Sequence, residues 1–522
     1  MKTHQFAIVS ALLFLFACSK TETPSNLTLS ANALTLAGEK NAKDSFTITY
    51  PGNWSIALDP ASASWVRISQ TSGNGNARII VTSENANTSA AGRTVKLTIT
   101  PDNNTTPATL SLTQSIYNLQ PYINLAGGSK SDWLQASAPA PDGGHVSVGW
   151  SESNDGGVPS NKGKRDLWVV RYAVDGSIIW QKTYGGTDED FANAITNLPD
   201  GSYLITGTTY SNDGDFLTNK GGGDAVVLKI DANGNKVWSR NYGGTDYDAG
   251  FSIIPTSDGN FLVGCASHSF DGDINNQHGI PGRGSGDAWI FKMNGNGDII
   301  WQKCYGGTGT EAALSVCRTS DGGFIVAAYT ANQGANGDVS SVIGSLDFWV
   351  FKLNATGTLV WNKTCGGLGE DFPFSITPGI DNGYLIAGYS NSRDNNITQP
   401  KGDLDGFLTK FDENGNIAWS KNYGSTKKEE FQSITISNNS YQLVGNIFES
   451  SGTNHDAWAL RVDLNGTQIA QSVIEGNANV SLNHVLRLSS GYFIFTGYSA
   501  STDLVPGPVK ALQNGLTIRV KE

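Results

Sequence analysis

The stretch Trp180-Gln-Lys-Thr-Tyr-Gly-Gly186 decides the fold. It returns as Trp238-Ser-Arg-Asn-Tyr-Gly-Gly244, Trp301-Gln-Lys-Cys-Tyr-Gly-Gly307 and Trp361-Asn-Lys-Thr-Cys-Gly-Gly367. A looser copy joins Trp419 to Gly424-Ser425, Gly127-Gly128 opens the series without a tryptophan, and Glu475-Gly476 is a degenerate last start. Self-similarity at a period of about 58 residues marks a ring or array of like units rather than one unique core. Counting starts gives seven units.

Within each unit, β-type runs are divided by turn signals. In the second, Phe191 to Leu198 leads through Asp200-Gly201 into Ser202 to Thr209, and a long polar loop follows. Asp224 to Asp231 then alternates Val226, Leu228 and Ile230 against Ala225, Val227 and Lys229 and turns at Asn233-Gly234 into Lys236 to Tyr242. No stretch keeps a 3.6-residue period long enough for a helix. Four antiparallel strands per repeat form the blade of a β-propeller. The expected fold is therefore all-β, a seven-bladed propeller over residues 119–522.

Closure of the ring can be read from the ends. The last unit supplies three strands, Asn483 to Ser489, Gly491 to Ser499 and Leu516 to Glu522, whereas Leu119 to Leu125 is an orphan run upstream of the first glycine pair. Pairing the orphan with the last three completes a seventh blade and removes a free sheet edge. Pro121 is tolerable there because the fourth strand is an outer edge. The arrangement resembles the closure of WD-repeat propellers, although the WD signature is absent. First-to-second and third-to-fourth turns are tight. Second-to-third connections such as Ser267 to Gly286, Thr330 to Leu346 and Ser390 to Leu404 are long, so the elaborated face or the central channel is where function is expected.

Residues 1–17 read as a lipoprotein signal peptide: an apolar run from Phe6 to Ala17, too short for a permanent span, ends at Cys18. Leu15-Phe-Ala-Cys18 resembles the lipobox of bacterial lipoproteins, with Phe16 bulkier than usual, which implies Cys18 as the lipidated residue. Residues 18–26 form a tether. Residues 25–116 alternate as a β-sandwich does, through Ser45 to Tyr50, Arg78 to Thr82, Val95 to Thr100 and Thr109 to Gln114. Trp54, Trp65-Val-Arg-Ile-Ser69 before Ser72-Gly73, the Asn85 to Asn87 turn, Arg93 and Leu112-Thr-Gln-Ser115 together resemble the BACON domain, an Ig-like sandwich of Bacteroidota surface proteins. That resemblance implies carbohydrate or mucin binding only weakly, and a spacer role fits equally.

The net charge of −12 argues against nucleic acid or anionic headgroups as partners. Cys265, Cys304, Cys317 and Cys365 fall at non-equivalent repeat positions with no metal-type spacing, and nothing calls for a disulfide. Two acids recur. One series, Asp132, Asp190, Asp248, Glu311, Asp371 and Glu429, lies five residues after the first glycine of each start, and Val480 breaks it. The other, Asp166, Asp224, Asp287, Asp347, Asp405 and Asp456, opens the third strand and is followed five residues on by a cation. Their repetition suits side chains that accept backbone N–H groups between blades; an acidic ring at the channel mouth is the functional alternative.

Asp213 and Asp215, and Asp271 and Asp273, flank a glycine in loops of the kind that hard cations favour, so calcium is the ion these loops would take. His268 and His278 share the second of these loops. Trp150, Tyr389 and Tyr498 follow the second-strand glycine where other units carry Thr208, Cys265 or Asn446; flat amphipathic rings there suit stacking on sugars, and packing beneath the loops is the alternative. No Gly-x-Ser-x-Gly, His-Glu-x-x-His or phosphate-loop motif occurs, so no catalytic residue is assigned. The expected protein is an outer-membrane lipoprotein, periplasmic or surface-exposed, that binds a glycan or an envelope protein and touches membrane only through its anchor. The rivals are a polysaccharide hydrolase built on a propeller and a scaffold subunit of an outer-membrane assembly. Replacing Cys18 with Ser should release the chain from the membrane fraction and abolish lipid on its N-terminus by mass spectrometry. Membrane retention of the variant, with no lipid on the wild type, would overturn the anchor.

Overall fold

The computed structural model describes residues 26–38, 41–59, 64–84, 92–103, 106–115, 122–159, 161–282, 284–331, 335–397, 400–449, 454–504 and 513–522. Cys18, the Asn85 to Asn87 turn and Leu119 to Pro121 lie outside them. The described residues contain strands and no helix, and they divide into two units, 1–119 and 120–522.

The first unit pairs a four-stranded sheet with a five-stranded one. Alternation in Lys43–Thr49, Asn53–Asp59, Arg93–Pro101 and Ala108–Gln114 puts Phe46, Ile48, Trp54, Ile56, Leu97, Ile99, Leu110 and Leu112 in one shared core. Trp54 is buried, and its indole N–H donates to Gly75 O (2.8 Å), so the ring is fixed at both its apolar body and its polar edge.

The second unit is a succession of seven four-stranded antiparallel sheets among the described residues. Their first strands are Asp132–Pro139, Asp190–Asn197, Asp248–Pro255, Glu311–Arg318, Asp371–Pro378, Lys428–Ile436 and Val480–Arg487. Each first strand packs against the first strand of the next sheet, and that of the seventh returns to that of the first, so the sheets stand radially in a β-propeller with first strands innermost. The seventh sheet is built from both ends: Asn514–Lys521 pairs with Tyr492–Ser499 on one side and with Tyr122–Ala126 on the other. Its first strand begins at Val480, three residues before the sequence suggests, because the degenerate start obscures the boundary.

Third strands carry the heaviest packing: Trp168, Trp289 and Trp349 are fully buried between sheets. Four of the six cations that follow the third-strand acids have a structural role. Lys292, Lys352 and Lys410, largely buried, extend to Asp258, Asp321 and Asp381 in the first-to-second turns (2.7, 2.7 and 2.5 Å), and Arg171 pairs in the same way with Asp142. These pairs tie the third strand to the tight-turn end of its own sheet. Cys265, Cys304, Cys317 and Cys365 are buried free thiols.

Every first strand contains a β-bulge, between Leu134 and Ala136 in the first sheet and at the equivalent place in the other six. A bulge leaves one residue out of the ladder and bends the strand. The bend drives a carbonyl toward the second strand: a Cβ at Gly149 would lie 1.9 Å from Trp133 O, so only glycine fits there. It also leaves backbone N–H groups in need of acceptors. The N–H of Val316, Ile376, Ile434 and Val485 each donates to a serine hydroxyl of the preceding first strand, Ser252, Ser315, Ser375 and Ser433 (3.2–3.3 Å).

The first and seventh sheets meet through Asp132 N–H to Gln513 O (3.1 Å) and the hydroxyl pair Ser137–Thr496 (2.6 Å). Arg519, buried in the last strand, lies over Tyr122 (4.6 Å). Ending the chain at residue 513 should therefore open two sheet edges and weaken the whole ring, not one corner of it. The truncated protein is expected to melt well below wild type in calorimetry; cooperative melting at the wild-type temperature would show that the clasp is dispensable.

Candidate functional site

The repeated first-strand acids are buried to 0–1% exposure and line no part of the central cavity, which removes them as an acidic ring at its mouth. They close the connections between sheets. Asp190 accepts Gly186 N–H (2.9 Å) and Ser211 Oγ (2.8 Å); Asp248 accepts Gly244 N–H (2.8 Å) and Ser269 Oγ (2.7 Å); Asp371 accepts Gly367 N–H (2.7 Å) and Ser392 Oγ (2.8 Å). Gly243 shows why its position is glycine: φ is +153°, and a Cβ would lie 2.4 Å from Asp248 Oδ2. The third-strand acids organise the long loops in the same manner, Asp166 accepting Lys162 N–H and Asp224 accepting Lys220 N–H (both 2.9 Å).

Burial pushes these carboxyls upward, Asp166 and Asp224 to about 6 and Glu311 to about 7, with a neighbouring carboxylate adding to each shift.

The aspartates of the candidate calcium loops have protein partners. Asp213 accepts Thr187 N–H (2.7 Å), and Asp271 accepts Thr245 N–H (2.7 Å) and Thr245 Oγ1 (2.9 Å). Asp215 is paired with Lys162 and Lys236, and Asp273 with Lys220. No group of three or more His, Cys, Asp or Glu side chains among the described residues is placed to hold a metal ion. His278 turns away from Asp271 and Asp273: its Nδ1 meets Asp287 (2.8 Å) and its Nε2 faces Asp338 (3.6 Å). His268 packs edge-on against Tyr247 (5.9 Å).

The aromatic residues gather on the long-loop end of the ring. Trp150 and Tyr498 are brought together, but not face to face. Trp133 stands between them, 5.3 Å from Trp150 and 3.9 Å from Tyr498, in a stacked column. The Arg165 guanidinium covers Trp150 (4.7 Å), and Tyr498 Oη bonds His455 Nε2 (2.9 Å). The faces of these rings are thus taken up by one another, and the column offers edges. Tyr389 belongs to a second stack, Tyr329–Phe372 (5.0 Å) and Phe372–Tyr389 (5.8 Å).

The register corrects one equivalence. Gly250 pairs with Cys265 as Leu134 pairs with Gly149, so Ala266, not Cys265, is the counterpart of Trp150. The fourth sheet adds Tyr329, opposite Ala312.

First strands enclose a cavity of about 810 Å³ at the centre of the ring. Tyr247, His268, Tyr329 and Phe372 line it, and so does the residue that each bulge expels from its ladder: Phe251, Leu314 and Phe374 in the third to fifth sheets, and Gln432, Asn483, Gln135 and Asn193 in the sixth, seventh, first and second. All are half-buried. These seven were missed in the sequence, although a signal exists: each stands eight residues after the first residue of its start. Such a volume lies within the range of about 300–1,000 Å³ usual for small-ligand sites.

No protein-family model matches the chain. A segment of 284 residues, 51% of the chain, is 29% identical to the regulatory protein FlaEY of Caulobacter vibrioides, of which it covers 28%. The acylaminoacyl peptidase of Pyrococcus horikoshii is similar over 72% of this chain and 51% of its own, with a TM-score of 0.37 and 13% identity. The β-propeller domain of the trilobed protease from Pyrococcus furiosus aligns over 84% of this chain and 96% of its own, with a TM-score of 0.32 and 8% identity.

The buried acids give a pH prediction. Glu311 binds its proton more tightly in the folded chain, at about 7, than the ordinary glutamate value of about 4.3 in the unfolded one. Between those values the folded state holds more protons, so stability falls as pH rises through the window. Glu311→Gln should flatten that decline and leave the variant more stable than wild type at pH 8, by up to about 4 kcal/mol. Denaturant unfolding at pH 5 and pH 8 checks this, and parallel profiles for the two proteins would contradict it.

Proposed function

We propose that this chain is a binding protein of the cell envelope, held by a lipid on Cys18, whose seven-bladed propeller takes carbohydrate at its long-loop end. An Ig-like sandwich similar to the BACON domain carries the propeller. The observation that supports the reading is the central cavity with Tyr247, Tyr329 and Phe372 in its wall. Their rings present flat apolar surface beside polar groups, which is how proteins hold pyranoses. Trp150, Tyr389 and Tyr498 belong to the surrounding stacks and keep this rim rigid. Rigid aromatic side chains lose little entropy when a ligand binds. A binding role also agrees with the acids: those repeated between sheets are buried and hydrogen-bonded to the chain, so they are not a free pair for acid and base work.

The test is a glycan array probed with tagged protein beginning after Cys18, followed by calorimetry of Tyr329→Ala and Phe372→Ala on any hit. Each truncation is expected to weaken binding by about 1 kcal/mol. An empty array, with an envelope protein captured instead, would replace carbohydrate by a protein partner; turnover of the bound glycan would replace the binding role by a hydrolase.

A further inference from the structure

The seven residues expelled by the bulges are not mixed around the ring. Phe251, Leu314 and Phe374 occupy three consecutive sheets, and Gln432, Asn483, Gln135 and Asn193 occupy the other four. The channel therefore has one apolar wall facing one amide wall at the same height. Because the bulge recurs in all seven first strands while the residue it expels differs from sheet to sheet, this division is set residue by residue. It is not imposed by the repeat.

Three of the four amides are held in place. Asn193 Nδ2 donates to Gly250 O (2.8 Å) and Asn483 Nδ2 to Leu134 O (3.1 Å), each on the first strand of the next sheet. Gln432 Nε2 donates to Glu430 (2.7 Å), which is fixed in turn by Asn446 Nδ2 (3.0 Å). With their N–H groups so engaged, Asn193 and Gln432 keep carbonyl oxygens to offer to the channel. The lining is nearly free of charge. Among its described residues the one permanently charged side chain is Arg487, at the far end of the first strand and paired with Glu522 (2.9 Å). Burial holds His484 near 4, so it is neutral at neutral pH.

We infer that this ring is a subsite for one uncharged pyranose, its apolar face on Phe251, Leu314 and Phe374 and its hydroxyl groups on the amide wall. The inference rests on the carbohydrate reading above and adds the place, the orientation and the charge of the sugar. A flat apolar face opposite hydroxyls is the shape of a neutral hexose. A uronate in the same place would bring a carboxylate among apolar groups and amides, with Arg487 at the far end already paired with Glu522, and so would bear the cost of desolvating a charge without an ion partner. Amides that must be matched also discriminate more sharply than apolar contacts do.

The experiment uses calorimetry with neutral gluco-, manno-, galacto- and xylo-oligosaccharides and with oligogalacturonate, on wild type, Phe374→Ala, Gln135→Leu and Trp150→Ala. The expected result is wild-type binding of at least one neutral series and no binding of oligogalacturonate. Phe374→Ala and Gln135→Leu should each weaken the neutral sugar roughly five- to tenfold, with melting temperatures close to wild type. Gln135, on the opposite wall of the channel, serves where Phe374→Ala proves unstable. Neutral sugar binding that falls with Trp150→Ala but not with either channel variant would overturn the channel site and leave the carbohydrate reading standing. Preference for oligogalacturonate would overturn the claim about charge, and wild type that binds none of these sugars would overturn both readings.

Discussion

The structure depends on a carboxylate that is buried at the point where one sheet hands the chain to the next. Asp190, Asp248 and Asp371 accept the second glycine's N–H and a serine hydroxyl from the start of the long loop, two residues past the second strand, so a single side chain fixes the connection, the strand that follows it and the long loop beside it. Such a group is costly to desolvate and is retained because each of its bonds is charge-assisted. The first glycine is needed for the same reason, since any side chain there would occupy the space of the carboxylate. The seventh sheet has Val480 in place of the acid and is held instead by strands from both ends of the chain.

From this constraint follows the division of labour between the two ends of the ring. Tight turns, with their lysine–aspartate pairs, close one end. The other carries the long loops, the aromatic stacks and the mouth of the cavity. The bulges connect scaffold to site. They press a first-strand carbonyl toward the second strand, where five of the seven sheets carry glycine, they leave N–H groups that serines of the neighbouring sheet satisfy, and they aim one residue per sheet at the axis. The same irregularity thus joins the sheets to each other and equips the channel.

Much of this was legible in the sequence because it is repeated. The repeated starts, the four strands in each unit and the bonding role of the recurring acids follow from comparing copies, and the pairing of the run before the first glycine pair with the C-terminal run, seen over Tyr122–Ala126, follows from the unit left incomplete at the end. What was not legible is what a bulge conceals. One extra residue interrupts the period of two, so Gln135, Phe251 and Phe374 read as noise in short strands rather than as one ring. Matching by the second-strand glycine also failed where that glycine is displaced or replaced: Gly264 stands one residue before the counterpart of Gly149, so Cys265 stood in for Ala266, and Ala328 takes the glycine's place in the fourth sheet, so Tyr329 was passed over. Trp133 escaped for a different reason. It lies on a first strand, whereas the aromatic comparison followed second strands, and only the fold brings it between Trp150 and Tyr498.

The binding site we propose in the channel has two walls that differ while the scaffold holding them repeats. A structure of the chain with a bound neutral oligosaccharide tests this most directly. The account predicts one sugar ring on the axis, its apolar face against Phe374 and Phe251 and its hydroxyls within hydrogen-bond distance of Asn193 or Gln432. A sugar seated on the outer loops, with no ring between the two walls, would contradict it.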